Sequence, residues 1–80
     1  MNLWVRSQDR RILQKVDNIY LNANYENKRI CSFVDGDEME LATYKTKKRA
    51  LEVLDEIQEH LTYQLHKDPL GMYVYQMPKE

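Results

Sequence analysis

The sequence predicts an α+β fold, a small antiparallel sheet of five to six strands with one helix packed across one face, in the order β-β-β-β-β-α-β. Three observations predict it: the first half alternates like short strands, Asp35-Gly36 marks a hairpin, and the hydrophobic period becomes helical after Tyr44. At 80 residues the chain is expected to form a single domain, residues 1–80.

The strands of the first half are predicted to be short. Leu3 and Val5 recur with a period of two, which is typical of a strand with one buried face. Residues 7–10 favour a tight turn, and residues 11–22 favour one bent strand or two short ones. Residues 22–28 favour a loop, because their asparagines tolerate left-handed backbone angles.

The strongest hairpin signal is Asp35-Gly36, because a type I′ turn needs positive φ at both central residues. Residues 30–34 alternate before this turn, and a return strand follows it. A strict period of two in the return strand places Thr43 on the same face as Leu41.

After Tyr44 the apolar residues recur every three or four positions, which predicts a helix over residues 47–66, about 30 Å long. Thr46 is expected to be its N-cap. Residues 68–71 end the helix, and residues 72–77 are expected to form the final strand. The predicted apolar stripe consists of Ala50, Leu54, Ile57 and Leu61, widened by Leu51, Val53 and Leu65.

Charge and cysteine content limit the function classes. The net charge of −1 argues against a strongly basic nucleic-acid-binding module. Residues 1–34 carry six basic and three acidic side chains, whereas residues 35–80 carry six and ten. This split suggests two unlike faces, and the alternative is an ordinary solvated surface. The single cysteine, Cys31, cannot form an internal disulfide and fits a reducing cytoplasm.

Catalytic and metal chemistry is not indicated by the sequence. Cys31 is expected to be an inert strand residue, and His60 and His66 have neither a neighbouring nucleophile nor a standard metal-ligand spacing. The apolar run before Arg6 is too short for a signal peptide or a membrane span. The sequence therefore predicts a cytoplasmic protein that is not an enzyme and uses no cofactor, metal or membrane.

A basic cluster, defined as Lys45, Lys47, Lys48 and Arg49, surrounds the predicted start of the helix. Acidic residues are usual there, because the unpaired N–H groups and the helix dipole carry partial positive charge. A bound anion such as a phosphate would relieve the repulsion and use those N–H groups. The cluster is therefore an anion-binding candidate, and the alternative is a solvated cluster in which Lys48 pairs with Glu52.

Two further sets of residues are candidates for contact with a protein partner. The helix carries like charges whose repulsion a basic partner would relieve, although such a face is also a common solubilising feature. Tyrosines in the terminal strand suit an interface, although tyrosine is also simply a good strand residue. An unpaired edge at that strand would allow edge-to-edge pairing into a homodimer, and the sequence leaves the oligomeric state open. The candidates are Glu52, Asp55, Glu56 and Glu59 on the helix, and Tyr73 and Tyr75 on the strand.

Three segments resemble short proteins encoded by phages and prophages of Gram-positive bacteria: WVRSQD (residues 4–9), YKTKKRALEVLDEI (residues 44–57) and Tyr-x-Met-Pro (residues 75–78). The resemblance covers nearly the whole chain. It implies an accessory protein of the host-cell cytoplasm, in a class that includes inhibitors of bacterial defence systems. The strands followed by one helix are also similar to pleckstrin-like folds, from which the strand after the helix departs.

These observations predict a non-enzymatic phage or prophage accessory protein that binds a host or defence protein. The first alternative is a sponge that binds a small anionic, nucleotide-type signal at the basic cluster. The second is single-stranded nucleic-acid binding through the tyrosines together with Arg6, Arg10 and Arg11, which the near-neutral charge disfavours.

Overall fold

A computed structural model describes residues 3–67 and 73–80, without the side chains of residues 63–67 and 73. The order of its elements is the order expected from the sequence. The strands are β1 (Leu3–Arg6), β2 (Leu13–Val16), β3 (Tyr20–Asn22), β4 (Arg29–Val34), β5 (Asp37–Thr43) and β6 (Tyr73–Gln76). A 3₁₀ turn, Ala23–Tyr25, precedes β4, and the helix α1, Lys47–Lys67, precedes β6.

The α+β class with one helix is confirmed, but the six strands do not form one antiparallel sheet. They form a first sheet, in the order β2-β1-β6, and a second sheet, in the order β3-β4-β5. Residues 11–22 supply two short strands that join different sheets, which alternation alone cannot reveal. Strand β6 pairs with β1 in parallel, because the long connection through α1 brings the chain back to the end where β1 begins.

The β4–β5 hairpin follows the sequence prediction. Asp35 has φ of 52° and Gly36 has φ of 85°, as a type I′ turn requires. A Cβ atom at Gly36 would meet nothing within 4 Å, so the backbone angle rather than lack of space favours glycine there.

A bulge in β5 overturns the face expected for Thr43. Ile30 lies opposite Ala42 while Cys31 lies opposite Glu40, so one additional residue, Leu41, sits between these pairs. A bulge changes the phase of the alternation, and Leu41 and Ala42 are therefore both buried. Thr43 is exposed in consequence, and Tyr44 is buried.

The core lies between the two sheets and α1. Helix residues Ala50, Val53 and Ile57 are buried in it, whereas Leu51 of the expected stripe is 43% exposed. Thr46 is the N-cap, as expected: its Oγ1 accepts the N–H of Arg49 at 3.1 Å. The remaining core residues are Leu3, Val5, Val16, Ile30, Leu41, Ala42, Tyr44 and Met77.

Gln8 joins the two sheets. Its N–H donates to the carbonyl oxygen of Leu41 at 2.8 Å, and its side-chain oxygen accepts the N–H of Thr43 at 3.0 Å. Its side-chain amide donates to the main-chain oxygen of Lys79 at 2.6 Å. One side chain thus fixes the turn after β1 against β5 and the residues that follow β6.

Candidate functional site

The basic cluster does not act as a unit. Lys45, Lys47 and Lys48 are exposed and form no ion pair with the rest of the described chain, so the expected Lys48–Glu52 pair is not present. Arg49 is the cation that reaches the acidic residues, with Nη1 at 3.5 Å from Glu52 and 3.3 Å from Glu56. Its hydrogen bond to Glu56 raises the pKa of the Arg49 guanidinium.

The acidic helix face is consequently divided. Glu52 and Glu56 share Arg49, which offsets the repulsion between two like charges one turn apart. Asp55 and Glu59 are exposed and make no ion pair within the described residues. The exposed, unneutralised part of the face is therefore Asp55 and Glu59.

Tyr75 packs against the helix instead of extending into solvent. Its ring meets His60 edge-on, with centroids 5.4 Å apart, and its hydroxyl donates to Glu56 at 3.2 Å. Burial, followed by the charge of Glu56, raises the Tyr75 pKa. Its half-buried ring belongs to the packing of the first sheet on α1, while the side chain of Tyr73 lies outside the described residues.

A groove of about 480 Å³ lies beside the start of α1. Lys45 and Arg49 of the basic cluster line it, and Lys79 adds a third cation that no local sequence signal connects to the other two. Tyr44 lines the same groove, and burial raises the pKa of its hydroxyl to about 12. That hydroxyl donates to the main-chain oxygen of Pro78 at 2.7 Å, which holds residues after β6 along the groove.

The outer face of the first sheet, away from the core, is a surface that the sequence predictions missed. Val74 is 57% exposed and Leu13 is 51% exposed, with half-buried Trp4 on the strand between them. The face contains two cations and no carboxylate. This first-sheet surface consists of Trp4, Arg6, Leu13, Lys15, Val74 and Gln76, as the strand register places them side by side.

The outer face of the second sheet carries a layer of bonded side chains. Glu38 accepts hydrogen bonds from the Tyr20 hydroxyl and from the Asn22 amide, the latter at 3.0 Å. Arg29 approaches Glu40, with 3.7 Å between Nε and Oε1. Its guanidinium also lies 3.5 Å from the centre of the Tyr25 ring.

Cys31 lies beneath this layer, not in the main core. Its register neighbours are Tyr20 and Glu40, and it has no exposed surface. Burial, together with the charge of Glu38, raises the pKa of the Cys31 thiol and disfavours a nucleophilic thiolate. His60 lies elsewhere, against Tyr75. In residues 3–67 and 73–80, no group of three or more His, Cys, Asp and Glu side chains is placed to hold a metal ion.

Comparison of the chain with protein-family models, with curated proteins and with solved structures gives no match. Within the described residues, no helix has both the length and the apolar character needed to cross a membrane.

Proposed function

We propose that this chain is a non-catalytic accessory protein that binds another protein through its first-sheet surface. The observation that carries the proposal is the exposure of Leu13 and Val74 on two strands that flank Trp4. Apolar side chains held side by side on a rigid sheet release ordered water when a partner covers them. By its resemblance to phage and prophage proteins, the partner is a host or defence protein in the bacterial cytoplasm.

The charges on the surface indicate the chemistry of that partner. Arg6 and Lys15 flank the apolar side chains, and the six positions include no acidic residue. A protein surface with apolar side chains and carboxylates would complement this arrangement. Nucleic acid fits less well, because Leu13 and Val74 offer nothing to phosphate and the face carries only two cations.

The first-sheet surface is too small to be the whole interface. A stable complex buries about 800 Å² on each partner, more than six side chains provide. The exposed loop residues Arg10 and Arg11 adjoin this sheet and extend its positive charge. Asp55 and Glu59, on the helix, remain contact candidates for a basic partner.

A capture experiment with matched variants tests the proposal. Tagged protein is exposed to a lysate of a Gram-positive host and crosslinked, and the captured proteins are compared for wild type, Leu13→Ser and Leu51→Ser. Leu51 is the control because it is the same residue type, similarly exposed, on the helix. We expect one protein that the wild type and Leu51→Ser retain and that Leu13→Ser loses.

The captured protein is then purified and titrated against the chain. Trp4 is the only tryptophan, so its fluorescence reports contact at the first-sheet surface. Expression of the wild type, but not of Leu13→Ser, is expected to change phage plaquing on that host. Equal capture by wild type and Leu13→Ser, or unchanged Trp4 emission at saturation, would contradict the proposed surface.

A second candidate function is binding of a small nucleotide-type anion in the groove beside α1. It is favoured by Lys45 and Lys79, which line the groove of about 480 Å³ and form no ion pair with other described residues. Arg49 in the same groove is already shared by Glu52 and Glu56, and Glu80 also lines it. Calorimetry with a cyclic dinucleotide and with inorganic phosphate tests it, using Lys45→Gln and, as a control outside the groove, Lys48→Gln. Binding heat that Lys45→Gln abolishes and Lys48→Gln retains would support this function, and no heat with either anion would exclude these ligands.

A further inference from the structure

The second sheet exposes an aromatic ring beside a fixed carboxylate. Phe33 is 52% exposed and stacks on Tyr20, with ring centroids 5.5 Å apart and planes 17° from parallel. Asn18 holds the Phe33 backbone from both sides: its side-chain oxygen accepts the Phe33 N–H at 2.8 Å, and its amide donates to the Phe33 carbonyl at 3.1 Å. The ring is therefore held in place at the surface by its neighbours.

The carboxylate of Glu38 lies directly across the strand pair from Phe33. It is oriented by two neutral groups, the Tyr20 hydroxyl and the Asn22 amide, whose nitrogen is 3.0 Å from each carboxylate oxygen. No cation among the described residues pairs with it, in contrast to neighbouring Glu40, which Arg29 approaches. Glu38 is thus positioned by donors that leave its negative charge uncompensated.

Further acidic residues surround the exposed ring. Asp17 and Asp35 line a shallow groove of about 240 Å³ next to Phe33, and they form no ion pair with other described residues. Lys15, on the edge of the first sheet, is the cation that lines this groove. The potential around Phe33 is therefore negative, whereas the potential over the first-sheet surface is positive.

We infer that this Phe33 patch, defined as Phe33, Tyr20, Glu38, Asp17 and Asp35, binds an arginine-containing basic segment of a protein. A guanidinium stacks on an exposed aromatic face and at the same time pairs with a carboxylate through its planar N–H groups. Phe33 and Glu38, side by side on adjacent strands, offer both contacts. Phe33, Tyr20 and Glu38 lie on the other sheet from the first-sheet surface, and Asp17 and Lys15 are where the two surfaces adjoin. Stacking on Phe33 and pairing with Glu38 do not require a partner on the first-sheet surface.

A binding titration with an arginine-glycine peptide tests this inference directly. The peptide is titrated into the full chain while amide shifts are followed by NMR, with an equally long glutamate-glycine peptide for comparison. We expect saturable shifts at Phe33 and Tyr20 with the arginine peptide alone. Glu38→Gln should weaken the affinity about fivefold or more, and Phe33→Leu should weaken it about threefold or more by removing the aromatic face.

Glu26→Gln provides the control, because it makes the same substitution and the same change of net charge at an exposed glutamate that pairs with Lys28 and lies outside both proposed surfaces. It should alter the affinity by less than about twofold. Equal weakening by Glu38→Gln and Glu26→Gln would show that the effect is one of net charge and would overturn the inference. Changes in amide chemical shift located away from Phe33 would also overturn the inference. Changes at Phe33 that appear when the chain alone is concentrated would overturn it as well, because the occupant would then be a second copy of the chain.

Discussion

The outer faces of the two sheets differ in what holds their side chains. On the second sheet, Glu38 accepts bonds from Tyr20 and Asn22, and Thr43 donates its hydroxyl to Glu40 at 2.7 Å. On the first-sheet surface, Leu13 and Val74 are exposed apolar side chains, and the Arg6 side chain donates a hydrogen bond to the carbonyl oxygen of Arg10 at 3.0 Å. Burial of the first face by a partner would be favourable because its exposed side chains are mainly apolar, whereas the second face already satisfies much of its polar surface and exposes apolar area at Phe33.

The same comparison explains the uneven charge along the chain. The excess of basic residues in the N-terminal part corresponds to a first-sheet surface without carboxylates. The acidic excess in the remainder includes the hairpin of the second sheet, with Asp35, Asp37 and Glu38, as well as α1. Two sheets around one core thus present opposite charges, and partners of opposite charge can bind them independently.

The largest expected effect is a loss of stability when a buried leucine of the first sheet is truncated, in contrast to an exposed leucine of the same sheet. Leu3 is fully buried and Leu13 is half exposed, so the two leucines are a matched pair on opposite faces. Leu3→Ala should lower the free energy of unfolding by about 2–5 kcal/mol. Leu13→Ala should change it by less than about 0.5 kcal/mol. Urea denaturation measures both, and a Leu13→Ala cost near that of Leu3→Ala would show that Leu13 stabilises the fold.

The next effect concerns the bonded layer of the second sheet. Asn22 is only 7% exposed, donates to Glu38 and accepts the N–H of Asn24 at 2.9 Å. Asn22→Ala should cost about 1–3 kcal/mol, because it removes the hydrogen bonds of a buried amide to the charged Glu38 and to the backbone of Asn24. Val74→Thr, on the first-sheet surface, should cost less than about 0.5 kcal/mol. Equal urea midpoints for Asn22→Ala and wild type would mean that the layer contributes no stability.

Local signals in the sequence predict the elements but not their assembly. Asp35-Gly36, Thr46 and the helical period each act within a few residues, and the corresponding turn, cap and helix are present. The division into two sheets depends on pairing between β1 and β6, which are about seventy positions apart. No local pattern encodes such a contact.

The candidate sites also depend on contacts between distant residues that local sequence patterns do not predict. The sequence indicates that Lys45 and Arg49 are near each other, but Lys79 joins them only through folding. The bulge at Leu41 reverses the faces of Thr43 and Tyr44, and it has no glycine to mark it. The packing of Tyr75 against α1 is not visible in the sequence either, because an alternating strand does not show which of its faces the helix covers.

The reaction rate of the Cys31 thiol is expected to report how often the second sheet opens. Cys31 is fully buried and burial raises its pKa, so reaction with a disulfide reagent requires the layer above it to open. The thiol of the wild type should react far more slowly than free cysteine. Asn22→Ala should accelerate the reaction about tenfold for each 1.4 kcal/mol of opening free energy lost. Leu13→Ala should leave the rate within about twofold, and a wild-type rate equal to that of free cysteine would contradict the buried placement.

The smallest effect is the dependence of stability on pH that comes from Tyr20. Burial, reinforced by Glu38, raises the pKa of Tyr20 to about 12, above the ordinary value of about 10. The unfolded chain therefore loses this proton first as the pH rises. The contribution of Tyr20 to stability is fully present below pH of about 10 and is lost as the pH rises through about 12.

Ultraviolet titration of tyrosinate distinguishes the two causes of this shift. Tyr20→Phe should remove one high-pH step from the titration curve of the folded protein. Glu38→Gln should lower the pKa of Tyr20 without returning it to about 10, because burial is the larger cause of the shift and persists in the variant. A Tyr20 pKa of about 10 in Glu38→Gln would instead show that the Glu38 carboxylate is the larger cause of the shift. The side chains of the second-sheet layer would then be held by charge more than by packing.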